Sequence, residues 1–107
     1  MHLISLAEDL LTLLQGRELY GLAIADAFRR IAGRTFVPRP GSLYPMLHKL
    51  EAEGLVRSWW EGSARYYTTT LAGDALLQTT RMRRRQLAQY AKGRRDGEVL
   101  QQVRQVL

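Results

Sequence analysis

A mainly α-helical fold carrying one small β-hairpin is what this sequence predicts, and three observations predict it. Apolar residues recur at intervals of three and four in residues 3–14, 19–32 and 43–53, the signature of three short amphipathic helices in succession. Two runs rich in Val, Trp, Tyr and Thr, 55–60 and 65–70, then flank a Glu-Gly-Ser-Ala tip. A fourth helical pattern follows and carries the chain toward its end.

Leu3, Ala7, Leu10 and Leu14 form the stripe of the first helix, and Gly16 is placed to cap it. Leu6, Leu11 and Leu13 make the same helix oily on a second side, which hints at cover by a second subunit. Tyr20, Ile24, Ala27, Phe28 and Ile31 form the stripe of the second helix, with Gly33 as its cap. Arg29, Arg30 and Arg34 crowd its C-terminal end, where cations complement the helix dipole or reach toward phosphate. Pro38 and Pro40 push the residues before them toward extended geometry and keep the second helix from running into the third.

The segment PGSLYPMLHKLEAEGLV, 40–56, is the most informative in the chain. Ser42 is positioned as N-cap, so the helix is expected to start near Leu43, with Pro45 in its first turn where a missing N–H costs no bond. Leu43, Met46, Leu47 and Leu50 fall on one side, while Tyr44, Pro45, His48 and Lys49 point the other way. One face anchors and the other is free to touch something. Gly54 offers the left-handed residue that ends the helix.

The Gly62-Ser63 pair suits a tight hairpin turn between two antiparallel strands. Thr70 can cap the fourth helix, with Asp74 in its first turn and Leu76, Leu87, Tyr90 and Ala91 along one side, interrupted by Arg83. Gly93 and Gly97 mark a break, after which Val99, Leu100, Val103, Val106 and Leu107 repeat at helical spacing. So short a segment is unstable alone, and its stripe needs cover from this subunit or a partner.

The chain has 107 residues, 46% of them apolar, enough for one domain with a modest core but not for a large enzyme cavity. Its 16 Lys and Arg exceed its 10 Asp and Glu, a net charge of +6 that favours a polyanion, nucleic acid first and an anionic membrane surface second. No cysteine is present, which excludes disulfides, thiolate metal sites and cysteine nucleophiles. His2 and His48 are the only histidines, so no metal site is expected. There is no phosphate-binding glycine loop and no nucleophile beside a plausible base; an enzyme is the least expected class, and no cofactor is implied. No run approaches the length of a membrane span, and Glu8 and Asp9 inside the first pattern argue for a helix of the mature protein instead of a signal peptide.

Helix, helix, helix, strand, tip, strand, helix is the order of a winged helix-turn-helix domain. Residues 1–72 would make that domain and residues 73–107 a C-terminal helical dimerisation region. In such a domain the N-terminal end of the third helix reaches base edges while flanking basic groups hold phosphates. Here that end carries Ser42, Tyr44 and Pro45, with His48 and Lys49 one turn on, Arg39 just before and Arg65 on the wing strand.

At these residues the sequence resembles the PadR family of bacterial transcriptional regulators. The matching segments are LLTLLQGRELYGLAIADAF (10–28), RPGSLYPMLHKLEAEGLV (39–56) and RYYTTTLAGDALL (65–77). The family's Pro-Gly-(Thr or Ser)-(Leu or Ile)-Tyr-Pro pattern stands here as Pro40 to Pro45, and its Glu-Gly-Leu as Glu53, Gly54 and Leu55. The resemblance implies a homodimeric DNA-binding repressor of the bacterial cytoplasm, bound to a pseudo-palindromic operator. It implies DNA contacts at Ser42, Tyr44, Pro45 and Lys49, and dimerisation by the C-terminal helix on the partner's N-terminal helix. The seam would hold Leu3, Leu6, Leu10, Leu87, Tyr90, Val99, Leu100, Val103, Val106 and Leu107. The strand after the wing departs from the family: Thr68 and Thr69 stand where a basic residue and a leucine are more usual.

Trp59 and Trp60 are adjacent on a strand, so one is expected in the core and the other half exposed; Tyr66 and Tyr67 should divide in the same way. The run Arg81, Arg83, Arg84 and Arg85 reads as a solvated helical face that attracts a polyanion, with direct DNA contact as the alternative. Two rival functions remain open on these residues: a winged-helix protein-interaction module with weak DNA binding, and a regulator that senses a small-molecule effector at the dimer interface, for which no matching ligand-lining residue is evident.

Overall fold

The computed structural model describes residues 6–30 and 40–93. In order these form α1 (Leu6–Leu14), β1 (Leu19–Tyr20), α2 (Gly21–Arg30), α3 (Pro40–Ala52), β2 (Val56–Glu61), β3 (Ala64–Thr69) and α4 (Leu71–Lys92). The expectations at Leu3, Gly33, Arg39, Gly97, Val99, Leu100, Val103, Val106 and Leu107 lie outside the described residues. The chain divides between Leu77 and Gln78 into two compact units, the first holding everything up to the opening turns of α4.

The core of the first unit is built from the predicted stripes. Leu10, Leu11 and Leu14 of α1, Ile24 and Phe28 of α2, Leu43, Leu47 and Leu50 of α3, Val56, Tyr67 and Leu77 form one buried cluster. Leu10, expected on a dimer seam, has no exposed surface; it belongs wholly to its own chain's core, and only the half-buried Leu6 of that pair retains surface to offer.

The second helix starts later than its pattern suggested. Leu19 and Tyr20 form a short strand that pairs antiparallel with Tyr67 and Tyr66 of β3, making a three-stranded sheet in the order β1-β3-β2. Tyr20 is therefore not on the α2 stripe but on the outer side of the sheet, 38% exposed, with its ring 5.7 Å from that of Tyr66. Two residues are too few for a strand to announce itself by alternation.

The hairpin matches its prediction closely. Glu61 pairs with Ala64, leaving Gly62-Ser63 as a two-residue turn with Gly62 at φ 60°, the left-handed conformation such tight turns require. The tyrosines divide as expected, Tyr67 buried and Tyr66 half-buried, but neither tryptophan enters the core. Trp59 stacks on Tyr66 at 6.0 Å beneath the Arg57 guanidinium, and Trp60, on the other face, is 63% exposed.

The junctions are closed by local hydrogen bonds. At the end of α3 the Leu55 N–H donates to the Leu50 carbonyl and the Gly54 N–H to that of Glu51, with Gly54 at φ 77°, the paired bonds of a Schellman cap. Thr70 caps α4 as predicted, its hydroxyl accepting from the Gly73 N–H at 3.1 Å and donating to the Gly54 carbonyl at 2.6 Å. The start of α4 thus lies on the turn that ends α3, so close that a Cβ at Gly73 would collide with the Leu55 carbonyl oxygen. Gly73 and Leu77 form its buried side; Leu76, predicted to lead the packed side, is 44% exposed. Thr68 and Thr69 also tie junctions: Thr68 donates to the Arg17 carbonyl at 2.7 Å and Thr69 to Asp74 Oδ1 at 2.6 Å.

Candidate nucleic-acid interface

The third helix begins at Pro40, earlier than the expected Leu43. Proline suits a first helical position, where no N–H is needed, and the helix continues through Gly41, so Ser42 is its third residue and not its cap. Pro45 consequently sits inside the helix, and the Gly41 carbonyl receives no N–H from it. The cap reading failed because a serine before an apolar run carries the same signature whether the helix starts with it or ahead of it.

The division of faces survives that shift. Leu43, Leu47 and Leu50 are at most 2% exposed, while Gly41, Ser42, Pro45, His48, Lys49 and Ala52 are open to solvent and follow one another at helical spacing. Ser42, Pro45, His48 and Lys49 thus share one exposed surface. Tyr44 does not stand fully outside with them: it is half-buried, and its ring lies across the start of α2, where a Cβ on Gly21 would come within 2.7 Å of the Tyr44 hydroxyl. Glycine at position 21 is what lets α2 and α3 approach there.

Beside this surface an open groove of about 350 Å³ runs between the start of α2 and the wing, lined among others by Tyr20, Leu22, Tyr44, Trp60, Ser63 and Arg65. Leu22, 70% exposed, and Trp60 form its apolar rims. Arg65 faces it from β3 with its guanidinium 5.5 Å from the centre of the Trp60 ring. Two of its five N–H donors are engaged within the protein: Nε donates to Ser58 Oγ at 2.9 Å and Nη2 to Glu51 Oε1 at 3.3 Å. Arg57 forms a looser pair with Glu18 at 4.0 Å, and Arg30 pairs with Asp26 at 2.8 Å along α2. Burial pushes the Tyr67 hydroxyl above its ordinary titration range, opposed by the charge of Arg65 and reinforced by Glu51 and Tyr44.

Sequence reading missed Glu51 and Ser58. Two signals pointed to them: a carboxylate in the last turn of a helix, where the dipole disfavours it, and the period-two alternation that sets Ser58, Trp60 and Arg65 on one face of the hairpin. Gly21 and the edge strand before it were missed as well, and the only signal was a glycine inside a helical pattern.

In the second unit, residues 78–93 carry no buried side chain, and Met82, Leu87 and Tyr90 are 48%, 64% and 49% exposed. Leu87 and Tyr90, expected on the dimer seam, therefore present surface. No described helix is long and apolar enough to cross a membrane.

Comparison with known proteins gives this arrangement its context. The chain is similar to a PadR-like transcription factor from Bacteroides fragilis at 22% identity and a TM-score of 0.75, over 82% of this chain and 87% of that one. A PadR family transcriptional regulator from Eggerthella lenta is 27% identical with a TM-score of 0.65, over 80% and 73% of the two chains. The PadR of Bacillus subtilis, solved in complex with operator DNA, is 30% identical with a TM-score of 0.60; the match covers 69% of this chain and 46% of that longer one. No protein with a curated description matches. The model of the transcriptional regulator PadR-like family matches residues 10–79, from the core of α1 through the wing into α4. The chain therefore belongs to the PadR-like family of transcriptional regulators, a family of regulators and not of enzymes.

Proposed function

We propose that this protein is a sequence-specific DNA-binding regulator, a repressor acting as a homodimer, that places α3 of each subunit in the major groove of a pseudo-palindromic operator. The observation that carries the reading is the division of α3: Leu43, Leu47 and Leu50 hold it to the core, while Ser42, Pro45, His48 and Lys49 share its open face. A helix so mounted fits a major groove and offers side chains to base edges. The net charge of +6 supplies the attraction to the phosphates. The likeness to a PadR solved on operator DNA supports the same reading. Residues 1–72 serve as the reader and residues 73–107 as the dimerisation region, the exposed Leu87 and Tyr90 contributing to the seam. Such a regulator acts in the bacterial cytoplasm, on the nucleoid.

The test is a binding titration against a duplex selected by the protein from a randomised pool and against a scrambled duplex of equal length. The selected duplex should bind about 10³-fold more tightly. Replacing Lys49 by Ala should weaken binding and lower the dependence of log affinity on log salt by about 0.9. Equal affinity for both duplexes removes sequence-specific recognition, and a reporter that rises when the protein is supplied removes repression.

A further inference from the structure

Arg65 lies on the wing strand beside the proposed reading helix, where a cation is ordinarily taken for a phosphate clamp. Its partners point elsewhere. Glu51 stands in the last turn of α3, where the carbonyl end of the helix dipole disfavours a carboxylate. A residue set against its local preference calls for a tertiary reason. Glu51 Oε2 accepts from Ser58 Oγ at 2.6 Å, and Oε1 accepts from Arg65 Nη2 at 3.3 Å. The Ser58 oxygen in turn accepts from Arg65 Nε at 2.9 Å. Three side chains from α3, β2 and β3 close a ring of hydrogen bonds that joins the reading helix to both strands of the wing.

The ring is partly shielded from water: the Arg65 side chain is 35% exposed and that of Glu51 31%. Swinging Arg65 toward a phosphate would take the fork from both acceptors and leave Glu51 half-buried without its countercharge. Trp60, paired with Arg65 across the hairpin, covers the guanidinium from a further side. A cation compensated by a neighbouring carboxylate adds little to the field that attracts DNA, whereas a bidentate fork between two elements fixes their mutual angle.

We propose that Arg65 is a positioning residue for DNA recognition: with Glu51 and Ser58 it sets the angle between the reading helix and the wing, and it takes no phosphate itself. This rests on the DNA-binding function proposed above. Wild-type protein titrated against the selected and scrambled duplexes therefore comes first, since failure to separate them sinks that function before any variant is made.

Given that separation, Glu51→Gln decides. It releases the Arg65 charge while loosening the ring, so the selected-to-scrambled affinity ratio should fall about tenfold while affinity for the scrambled duplex holds or rises. The paired variant Glu51→Gln with Arg65→Met keeps the net charge; it should lose the same discrimination with an unchanged salt slope on both duplexes. If Arg65 holds a phosphate, Glu51→Gln leaves the ratio intact and the paired variant lowers the slope on the selected duplex by about 0.9. Either result overturns the proposal. Thermal melts establish that each variant is folded. Should Glu51→Gln unfold, Ser58→Ala, which retains both charges, decides instead: a lowered ratio at constant slope supports the positioning role, and an unchanged ratio refutes it.

Discussion

Residues up to Leu77 and residues 78–93 are both rich in helix, yet they meet solvent in opposite ways. In the first, Leu10, Leu14, Ile24 and Leu47 are wholly buried, and the junctions between elements are closed by specific hydrogen bonds such as those of Gly54 and Thr70. In the second, a continuous helix exposes Met82, Leu87 and Tyr90 among a run of arginines. An isolated stretch of helix with apolar side chains in water has little to hold it, because helix propensity alone is marginal and most helical stability comes from packing. The first unit supplies its own core. The second exposes apolar side chains among its arginines, the kind of surface that the proposed dimer seam would cover.

The largest expected effect follows from breaking that cover. Leu87→Asp together with Tyr90→Asp should convert a dimer into a monomer by sedimentation or light scattering, while far-ultraviolet circular dichroism of the first unit persists. Because two linked readers gain about 10²–10⁴ over one, affinity for a two-half-site duplex should fall by a comparable factor. An unchanged dimer mass would move the seam away from this stretch of α4.

Within the first unit the same contrast runs across a single helix. Leu47→Ala removes a side chain with no exposed surface and should cost about 2–5 kcal/mol of stability, read from denaturant midpoints. Lys49→Ala, two residues along and on the open face, should stay within about 0.5 kcal/mol of wild type and show its effect on DNA instead. Comparable destabilisation by both would mean that α3 has no free face.

How much of this could be read from the sequence depends on the range over which each feature is encoded. The apolar stripes of 10–14, 24–28 and 43–50 were legible because burial on one side of a helix imposes a period on the residues themselves. The hairpin was legible because a two-residue turn demands a particular residue, and Gly62 is there. The strand at Leu19–Tyr20 was not, since its pairing with β3 is specified by residues more than forty positions away. The ring of Glu51, Ser58 and Arg65 joins residues only 7 and 14 positions apart and left signals in the helix-end carboxylate and the hairpin's alternation, but the packing of α3 on the hairpin that brings the three together is not written in any local period. At Leu10 and Leu76 the period was sound, but it could not say which neighbour would take which side of the helix; Leu10 went inward and Leu76 outward.

Smaller effects sharpen the account of how the reader closes on itself. Gly73→Ala forces a Cβ toward the Leu55 carbonyl oxygen, a backbone atom that cannot swing aside, and should cost about 1–3 kcal/mol. Thr70→Ala removes the hydroxyl that caps α4 and donates to the Gly54 carbonyl, for about 1 kcal/mol. Both changes lie in the first unit. Paired with Leu87→Asp and Tyr90→Asp, each should therefore lower the denaturant midpoint without altering the mass of the species. A Gly73→Ala protein as stable as wild type would mean that α4 can shift off the turn ending α3.

The subtlest expectation concerns Tyr67, which is buried in the core of the first unit. Burial disfavours the phenolate and raises the group's titration in the folded chain; Arg65 works against that shift, while Glu51 and Tyr44 add to it. In the unfolded chain a tyrosine loses its proton near pH 10, as an ordinary phenol does. Between that point and the higher folded value, the unfolded chain gives up a proton that the folded chain keeps, so rising pH favours unfolding. The contribution is fully present below about pH 10 and declines above it. Many groups titrate in alkali, so the measurement is a difference: denaturant midpoints of wild type and Tyr67→Phe across that range. The gap between the two curves should move against wild type as pH rises through the window. A constant gap would mean that Tyr67 reaches water more freely than its 2% exposure allows, and that the wing is less firmly seated on the reading helix than its hydrogen bonds imply.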